Sequence, residues 1–160
     1  MIHIRRAAPA DARAITELLQ EVVDAGGTTA ITGTVNRSGI EAQLASPNRV
    51  AWHVAEDDAG ELLGFQWIEP MLDEPKTCAE IASFARRGKT GLGIGSKLFE
   101  VTRTAGKALG YTWIRANIRA DNAGGLAYYQ SRGFEDYGRI EGYVMGDGTV
   151  VDKVLKRYDL

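Results

Sequence analysis

The sequence predicts a mixed α+β (α/β) fold: a central, mostly antiparallel sheet of about seven strands with one parallel pair, covered by about four helices on both faces. Three observations predict it. Short apolar or alternating stretches recur with turn signals between them, as in residues 50–55, 56–60 and 62–69. Residues 78–118 read as strand, glycine-rich turn, helix and strand, a crossover unit whose two strands run parallel. With 160 residues, 44% hydrophobic and 25% charged, the chain is long enough for one domain, residues 1–160, with its own core.

The elements follow in order. Residues 2–6 (IHIRR) alternate and form a first strand. Pro9, Ala10 and Asp11 open a helix with the stripe Ile15, Leu18, Leu19 and Val22, and Val23 beside it. Residues 24–29 (DAGGTT) end it in a loop. A shorter helix spans residues 38–44, started by Asn36 or Ser38. Residues 50–55 and 62–69 pair as a hairpin across the turn 56–60. Residues 71–76 form a loop, and 78–85 a strand. The helix after the glycine turn ends near Gly110, with Lys107 suiting its negative end. Residues 112–118 are a strand, and 122–134 hold a short helix capped by Asn122 or Asp121 and stopped by Gly133. Residues 134–144 and 149–157 form a last hairpin around Gly146, Asp147 and Gly148.

Composition narrows the partners. Twenty-one acidic and 19 basic residues give a net charge of −2, which favours neither nucleic acid nor a membrane surface. A single cysteine, Cys78, excludes an internal disulfide framework and suits a reducing, cytoplasmic setting. His3 and His53 lack ligand-like spacing, so no metal is expected. No signal peptide, long apolar run or internal repeat is visible.

The turn between the third-quarter strand and its helix carries the chemistry. The first N–H groups of a helix lack intrahelical partners, and the helix dipole favours an anion there. Four glycines between residues 88 and 95 let a diphosphate approach the main chain, and Arg86, Arg87 and Lys89 add positive charge. Two familiar phosphate signatures fail. A P-loop needs glycine where Ser83 stands, and the dinucleotide fingerprint needs glycine where Ser96 stands. The series Thr90, Gly91, Leu92, Gly93, Ile94, Gly95 fits a third pattern, [Gln/Arg]-x-x-Gly-x-[Gly/Ala], at all but its first position. Further on, Asn122, Leu126, Tyr129, Gly133 and Phe134 stand in register with a second pattern. With both motifs in this order, nearly the whole chain resembles the GNAT superfamily of acetyltransferases. Thr90 departs from the pattern, which puts one side-chain contact to the diphosphate in doubt.

The resemblance implies an acetyl-CoA-dependent N-acetyltransferase without a metal. The strand ending at Ala85 and the strand 112–118 would begin adjacent and splay apart. Pantetheine would lie in the gap on the main chain of Phe84 and Ala85. The diphosphate would rest on residues 86 and 89–96: Arg86, Lys89, Thr90, Gly91, Leu92, Gly93, Ile94, Gly95 and Ser96. Asn122 and Leu126 would steady the pantetheine arm. Tyr129 would hydrogen-bond or protonate the departing sulfur, with a helix environment that lowers its pKa. Tyr128, beside it, would face elsewhere and belong to the core.

An alkyl amine of pKa near ~10.4 is neutral about once in two thousand molecules at pH 7, a handicap of roughly 4–5 kcal/mol. A base must therefore take a proton, and Glu80 is the candidate, with Glu69 and Asp73 behind it. Thr28 and Trp67 would border the acceptor, a small-molecule or amino-acid-like primary amine. A peptide or protein amine, a silent acyl-CoA-binding regulatory module, and an ATP- or NAD-binding domain are the alternatives. A homodimer is implied by the resemblance alone.

Overall fold

The computed structural model describes residues 1–86, 88 and 93–160. Seven strands, β1 (His3–Arg6), β2 (Ala51–Glu56), β3 (Leu62–Pro70), β4 (Cys78–Ala85), β5 (Trp113–Arg119), β6 (Glu135–Val144) and β7 (Val150–Asp159), form one sheet in the order β1-β2-β3-β4-β5-β7-β6. Every neighbouring pair is antiparallel except β4–β5. The described α-helices are α1 (Ala12–Ala25), α2 (Arg37–Leu44), α3 (Ile94–Ala108) and α4 (Ala123–Ser131), with a 3-10 turn at Pro9–Asp11 leading into α1. The expected fold class is therefore the observed one.

Two layers of helix cover the sheet because its strands are apolar on both sides. On one face, Ile15, Leu18 and Leu19 of α1 and Ile40 of α2 pack against Trp52, Val54 and Phe65. On the other, Ile94, Leu98 and Phe99 of α3 meet Ala55, Leu63, Ile68 and Ile81, and Tyr129 of α4 joins them. A central sheet buried on both faces loses the clean polar alternation of an exposed one. That explains the unbroken burial of residues 51–55 in β2.

Local signals set the helix ends. The Asn36 side chain accepts from the Ser38 N–H at 2.9 Å, so α2 starts at Arg37. Asn122 accepts from the Gly125 N–H at 3.0 Å and is the cap of α4, ahead of its rival Asp121. At α3 the N-cap is Gly93, with φ +79°, a left-handed conformation that suits a residue without a β-carbon. It has no side chain with which to cap.

The parallel pair is short. β4 and β5 are in register from Cys78 opposite Trp113 to Ile81 opposite Ala116, and no further. Each keeps its outer partner beyond that point: β4 stays on β3 as far as Ala85 opposite Gly64, and β5 stays on β7 as far as Arg119 opposite Lys153. The sheet thus opens as a wedge between residues 82–85 and 117–119. The Arg86 N–H donates to the Leu63 carbonyl at 2.7 Å. Main-chain groups alternate sides along a strand. Those of Ala82 and Phe84 accordingly face β3, and those of Ser83 and Ala85 face the wedge. The expectation for Phe84 is corrected here: its N–H and C=O belong to the β3 ladder, and the groups that face the wedge are those of Ser83 and Ala85.

Gly95, in the first turn of α3, is needed for packing. A β-carbon there would lie 2.5 Å from Cε1 of Tyr128, whose hydroxyl donates to the Gly95 carbonyl at 2.7 Å. Gly95→Ala should lower stability by about 1–3 kcal/mol, the usual cost of overpacking. Chemical denaturation checks this, and adding Tyr128→Ala to Gly95→Ala should remove most of the penalty that Gly95→Ala adds.

Candidate active site

The wedge opens into a cleft of about 300 Å³. Its walls come from both faces of the sheet. Alternation along β3 and β4 places Trp67, Glu69, Glu80 and Phe84 on the α1–α2 face. Ser83 points to the opposite face, where Tyr129 of α4 rises to meet it. The loop after α1 closes one end with Thr28, Thr29, Ala30 and Ile31. The gap between β4 and β5 thus joins a carboxylate side to a tyrosine side.

The carboxylate side centres on Glu69 and Glu80, which stand opposite each other on β3 and β4. Arg115 donates to Glu80 Oε2 from Nη2 at 2.8 Å and from Nε at 3.1 Å. Glu80 is therefore an ion-paired carboxylate. Glu69 has no ion-pair partner among the described residues, and its pKa is raised, first by burial and then by the charge of Glu80. Of the two, only Glu80 is tied to a cation among the described residues.

On the tyrosine side, Tyr129 is buried, and its hydroxyl lies 2.8 Å from Ser83 Oγ. Burial pushes its phenol pKa upward, with the hydrogen bond shared with Ser83 working against that. The expected lowering by a helix environment is thus reversed, because desolvation of the phenolate dominates. Tyr128 packs against the core as expected, but its hydroxyl joins the same network. Gln66, fully buried on β3, donates to Ser83 Oγ at 2.7 Å and to Tyr128 Oη at 3.0 Å.

The other expected residues are placed as follows. The Asn122 side chain is spent on two protein contacts, the α4 cap and a bond from Nδ2 to the Thr28 carbonyl at 3.1 Å. Together with the Arg119 bond to the Thr29 carbonyl at 3.0 Å, that contact ties the α1 loop to the end of β5. Leu126 packs against the core cluster of α3 and α4. The Ile94 side chain is buried in the core, which leaves only its main chain facing outward. Arg86 donates to the Leu62 carbonyl at 2.9 Å and pairs with Glu21 at 3.3 Å, so its charge is held toward α1. Gly93, Gly95 and Ser96 form the start of α3. Lys89, Thr90, Gly91 and Leu92, with Arg87, lie outside the described residues. Asp73 does not line the cleft. Trp67 does, stacked between Trp52 at 4.2 Å and Phe84 at 5.5 Å between ring centroids. Four polar cleft residues escaped sequence reasoning: Ser83, Asn117, Arg119 and Lys153. Their strand positions could have shown it, since each lies at or beyond the point where the wedge opens.

Among the described residues no three His, Cys, Asp or Glu side chains gather as a metal-binding group. No described helix is long and apolar enough to cross a membrane.

The acetyltransferase (GNAT) family model matches residues 15–134. The chain belongs to the GNAT acetyltransferase family. No curated protein matches the sequence. Among solved structures, a GNAT superfamily phosphinothricin acetyltransferase from Sinorhizobium meliloti, in complex with acetyl-CoA, superposes with a TM-score of 0.89 at 23% identity, over 99% of this chain and 88% of that one. The ribosomal-protein-alanine N-acetyltransferase of Brucella melitensis gives 0.88 at 23% identity, over 99% of each chain. An N-acetyltransferase from Staphylococcus aureus Mu50 gives 0.89 at 21%, over 99% and 98%. At these identities the GNAT fold is shared along its whole length.

The raised pKa of Glu69 has a consequence for stability. A carboxyl whose folded-state pKa exceeds its unfolded value destabilises the fold once ionised. That penalty is absent below the unfolded value of about 4 and grows as pH rises through the folded one. Glu69→Gln should therefore melt higher than wild type at pH 8, and the difference should shrink toward zero below about pH 4. Thermal melts across this range check it.

Proposed function

We propose that this GNAT enzyme moves the acetyl group of acetyl-CoA to a primary amine of a small-molecule or amino-acid-like acceptor, by direct attack in a ternary complex. The observation that carries this reading is the wedge. It is a slot in the sheet with free main-chain groups on one wall, a tyrosine on one face and a desolvated carboxylate on the other.

The residues suit the donor. Ser83 and Ala85 offer N–H and C=O groups to an extended amide-bearing arm, as an added strand would be held. The start of α3 offers N–H groups that no side chain of the described residues caps, at the positive end of a 15-residue helix. That suits a diphosphate. Acetyl-CoA supplies the carbonyl carbon that the amine attacks and a sulfur that leaves with the C–S electron pair.

The chain's own groups handle the protons. Glu69 accepts the proton that the amine must lose, directly or through water. Glu80, held by Arg115, sets a negative charge beside Glu69 that favours proton uptake there. A wedge-facing N–H of Ser83 or Ala85 donates to the carbonyl oxygen as charge builds there. Tyr129 donates to the sulfur. An ordinary phenol of pKa ~10 against a thiol of ~8.5 makes full transfer uphill by about 2 kcal/mol. Burial raises that cost, so a strong hydrogen bond is the larger part of the role. Thr28 and Trp67 border the acceptor, on the α1–α2 face. The free, buried thiol of Cys78 suits a reducing, cytoplasmic setting, and the family resemblance alone favours a homodimer.

Release of free thiol, measured over a panel of amines, amino acids and short peptides, tests the reaction. Turnover with at least one amine is expected. No turnover with any of them, together with tight CoA binding, would instead mark a silent acyl-CoA-binding module. With an acceptor in hand, Tyr129→Phe should lower kcat tenfold or more and leave the acetyl-CoA KM within about threefold, a transition-state effect.

The two glutamates separate by pH profile. Glu69→Gln should abolish the acidic limb of kcat/KM along with most of the activity. Glu80→Gln removes a negative charge from beside Glu69 and frees Arg115. It should therefore shift that limb to lower pH and keep it. A limb lost in Glu80→Gln and kept in Glu69→Gln would transfer the base role to Glu80.

A further inference from the structure

We propose that Ser83, locked by the buried amide of Gln66, is the positioning residue that turns the Tyr129 proton into the cleft. The inference rests on the transferase reading above and adds to it the group that makes the tyrosine a donor.

The argument runs from one fixed point. The Gly95 carbonyl can only accept a hydrogen bond. Tyr128 lies 2.7 Å from it and must be the donor. The Tyr128 hydrogen is thereby used, so toward Gln66, at 3.0 Å, the Tyr128 oxygen can only accept. That requirement fixes the Gln66 amide, with its nitrogen facing Tyr128. The same nitrogen lies 2.7 Å from Ser83 Oγ and donates its second hydrogen there. Turning the amide over would relieve the carbonyl oxygen Gln66 Oε1, which has no partner. It would do so by leaving two N–H groups in that partnerless position, a worse exchange.

Ser83 Oγ therefore accepts from Gln66, and its own hydrogen points away from that residue. Tyr129 Oη, at 2.8 Å, is the hydroxyl that shares a hydrogen with it. Two placements of that hydrogen exist, and they differ in what Tyr129 can do. If Tyr129 donates to Ser83, its proton is spent within the protein. If Ser83 donates to Tyr129, the phenol proton is free for the cleft that both residues line. The second placement also puts a donor on the oxygen where negative charge grows when Tyr129 gives its hydrogen to the leaving sulfur. In a site this dry, such a donor offsets part of the desolvation cost. The bookkeeping is complete: the sulfur leaves with the C–S electron pair, it takes or shares the Tyr129 proton, and the Ser83 hydrogen stays on Ser83 while bonding the phenol oxygen. Gln66 and Tyr128 move no proton at all. They hold the orientation, and the closed packing of Gly95 against Tyr128 keeps its carbonyl in reach.

The test is a double-mutant cycle on kcat, with an acceptor found in the thiol-release panel. Ser83→Ala should lower kcat tenfold or more in the wild-type background, with the acetyl-CoA KM within about threefold. In the Tyr129→Phe background the same change should cost less than twofold, because the group it serves is already gone. Ser83→Thr should retain most of the activity, and its isostere Ser83→Val should behave as Ser83→Ala. Gln66→Met, which removes the amide at similar volume, should show the same coupling to Tyr129. It keeps the test decisive if Ser83→Ala folds poorly. Equal losses in both backgrounds, or full activity in Ser83→Val, would overturn the proposal. A wild-type chain that turns over no acceptor would overturn the transferase reading itself and this role with it. That result is told apart because it precedes any variant.

Discussion

Everything at this site depends on where one pair of strands stops pairing. β4 and β5 are bonded for four residues and then part, while each remains fully engaged with its outer neighbour. Main chain in a buried sheet carries a high cost when left without partners. Here, on the wedge side, residues 83 and 85 of β4 have no strand to bond. The fold tolerates that because the wedge is open to solvent and is edged by polar side chains of Ser83, Asn117 and Arg119. A ligand that brings its own amides finds the cost already borne by the free protein. The same parting lets a carboxylate from one face of the sheet and a phenol from the other line a single cleft.

The electrostatics on the carboxylate side follow from that layout. Two glutamates stand opposite each other on adjacent strands, and one arginine from β5 reaches only one of them. The pair is thereby split in character. Glu80 is an ion-paired anion, and Glu69 is a desolvated carboxyl repelled by it. Splitting two like groups in this way is a common route to a base that works near neutral pH. Its cost falls on stability at Glu69.

Much of the architecture was legible in the chain. Hairpin turns and the βαβ spacing of residues 78–118 lead to the seven-stranded mixed sheet, and Asn36, Asn122 and Gly133 mark helix ends by elementary capping chemistry. The two motif stretches point to Tyr129 and to the start of α3. What the chain could not display is how strands sit across from one another. Glu69 and Glu80 are eleven positions apart in sequence, and nothing local says that β3 and β4 set them face to face. Arg115 lies thirty-five residues beyond Glu80, so its claim on Glu80 is visible only in the register of β4 and β5. The role of Gly95 shows the reverse case. Sequence reads it as room for phosphate, whereas in three dimensions it also makes room for the ring of Tyr128. Likewise Gln66 reads as an ordinary residue of a hairpin strand, and only burial beside two tyrosines shows why an amide stands there.

Amide hydrogen exchange along β4, followed residue by residue by NMR with and without saturating CoA, tests the central claim most directly. The N–H groups of Ser83 and Ala85 face the wedge, and those of Ala82 and Phe84 face β3. Binding should slow exchange at Ser83 and Ala85 by tenfold or more and leave Ala82 and Phe84 little changed. CoA that binds while Ser83 and Ala85 exchange as before would contradict the account, because the slot between β4 and β5 would then not be where the donor lies.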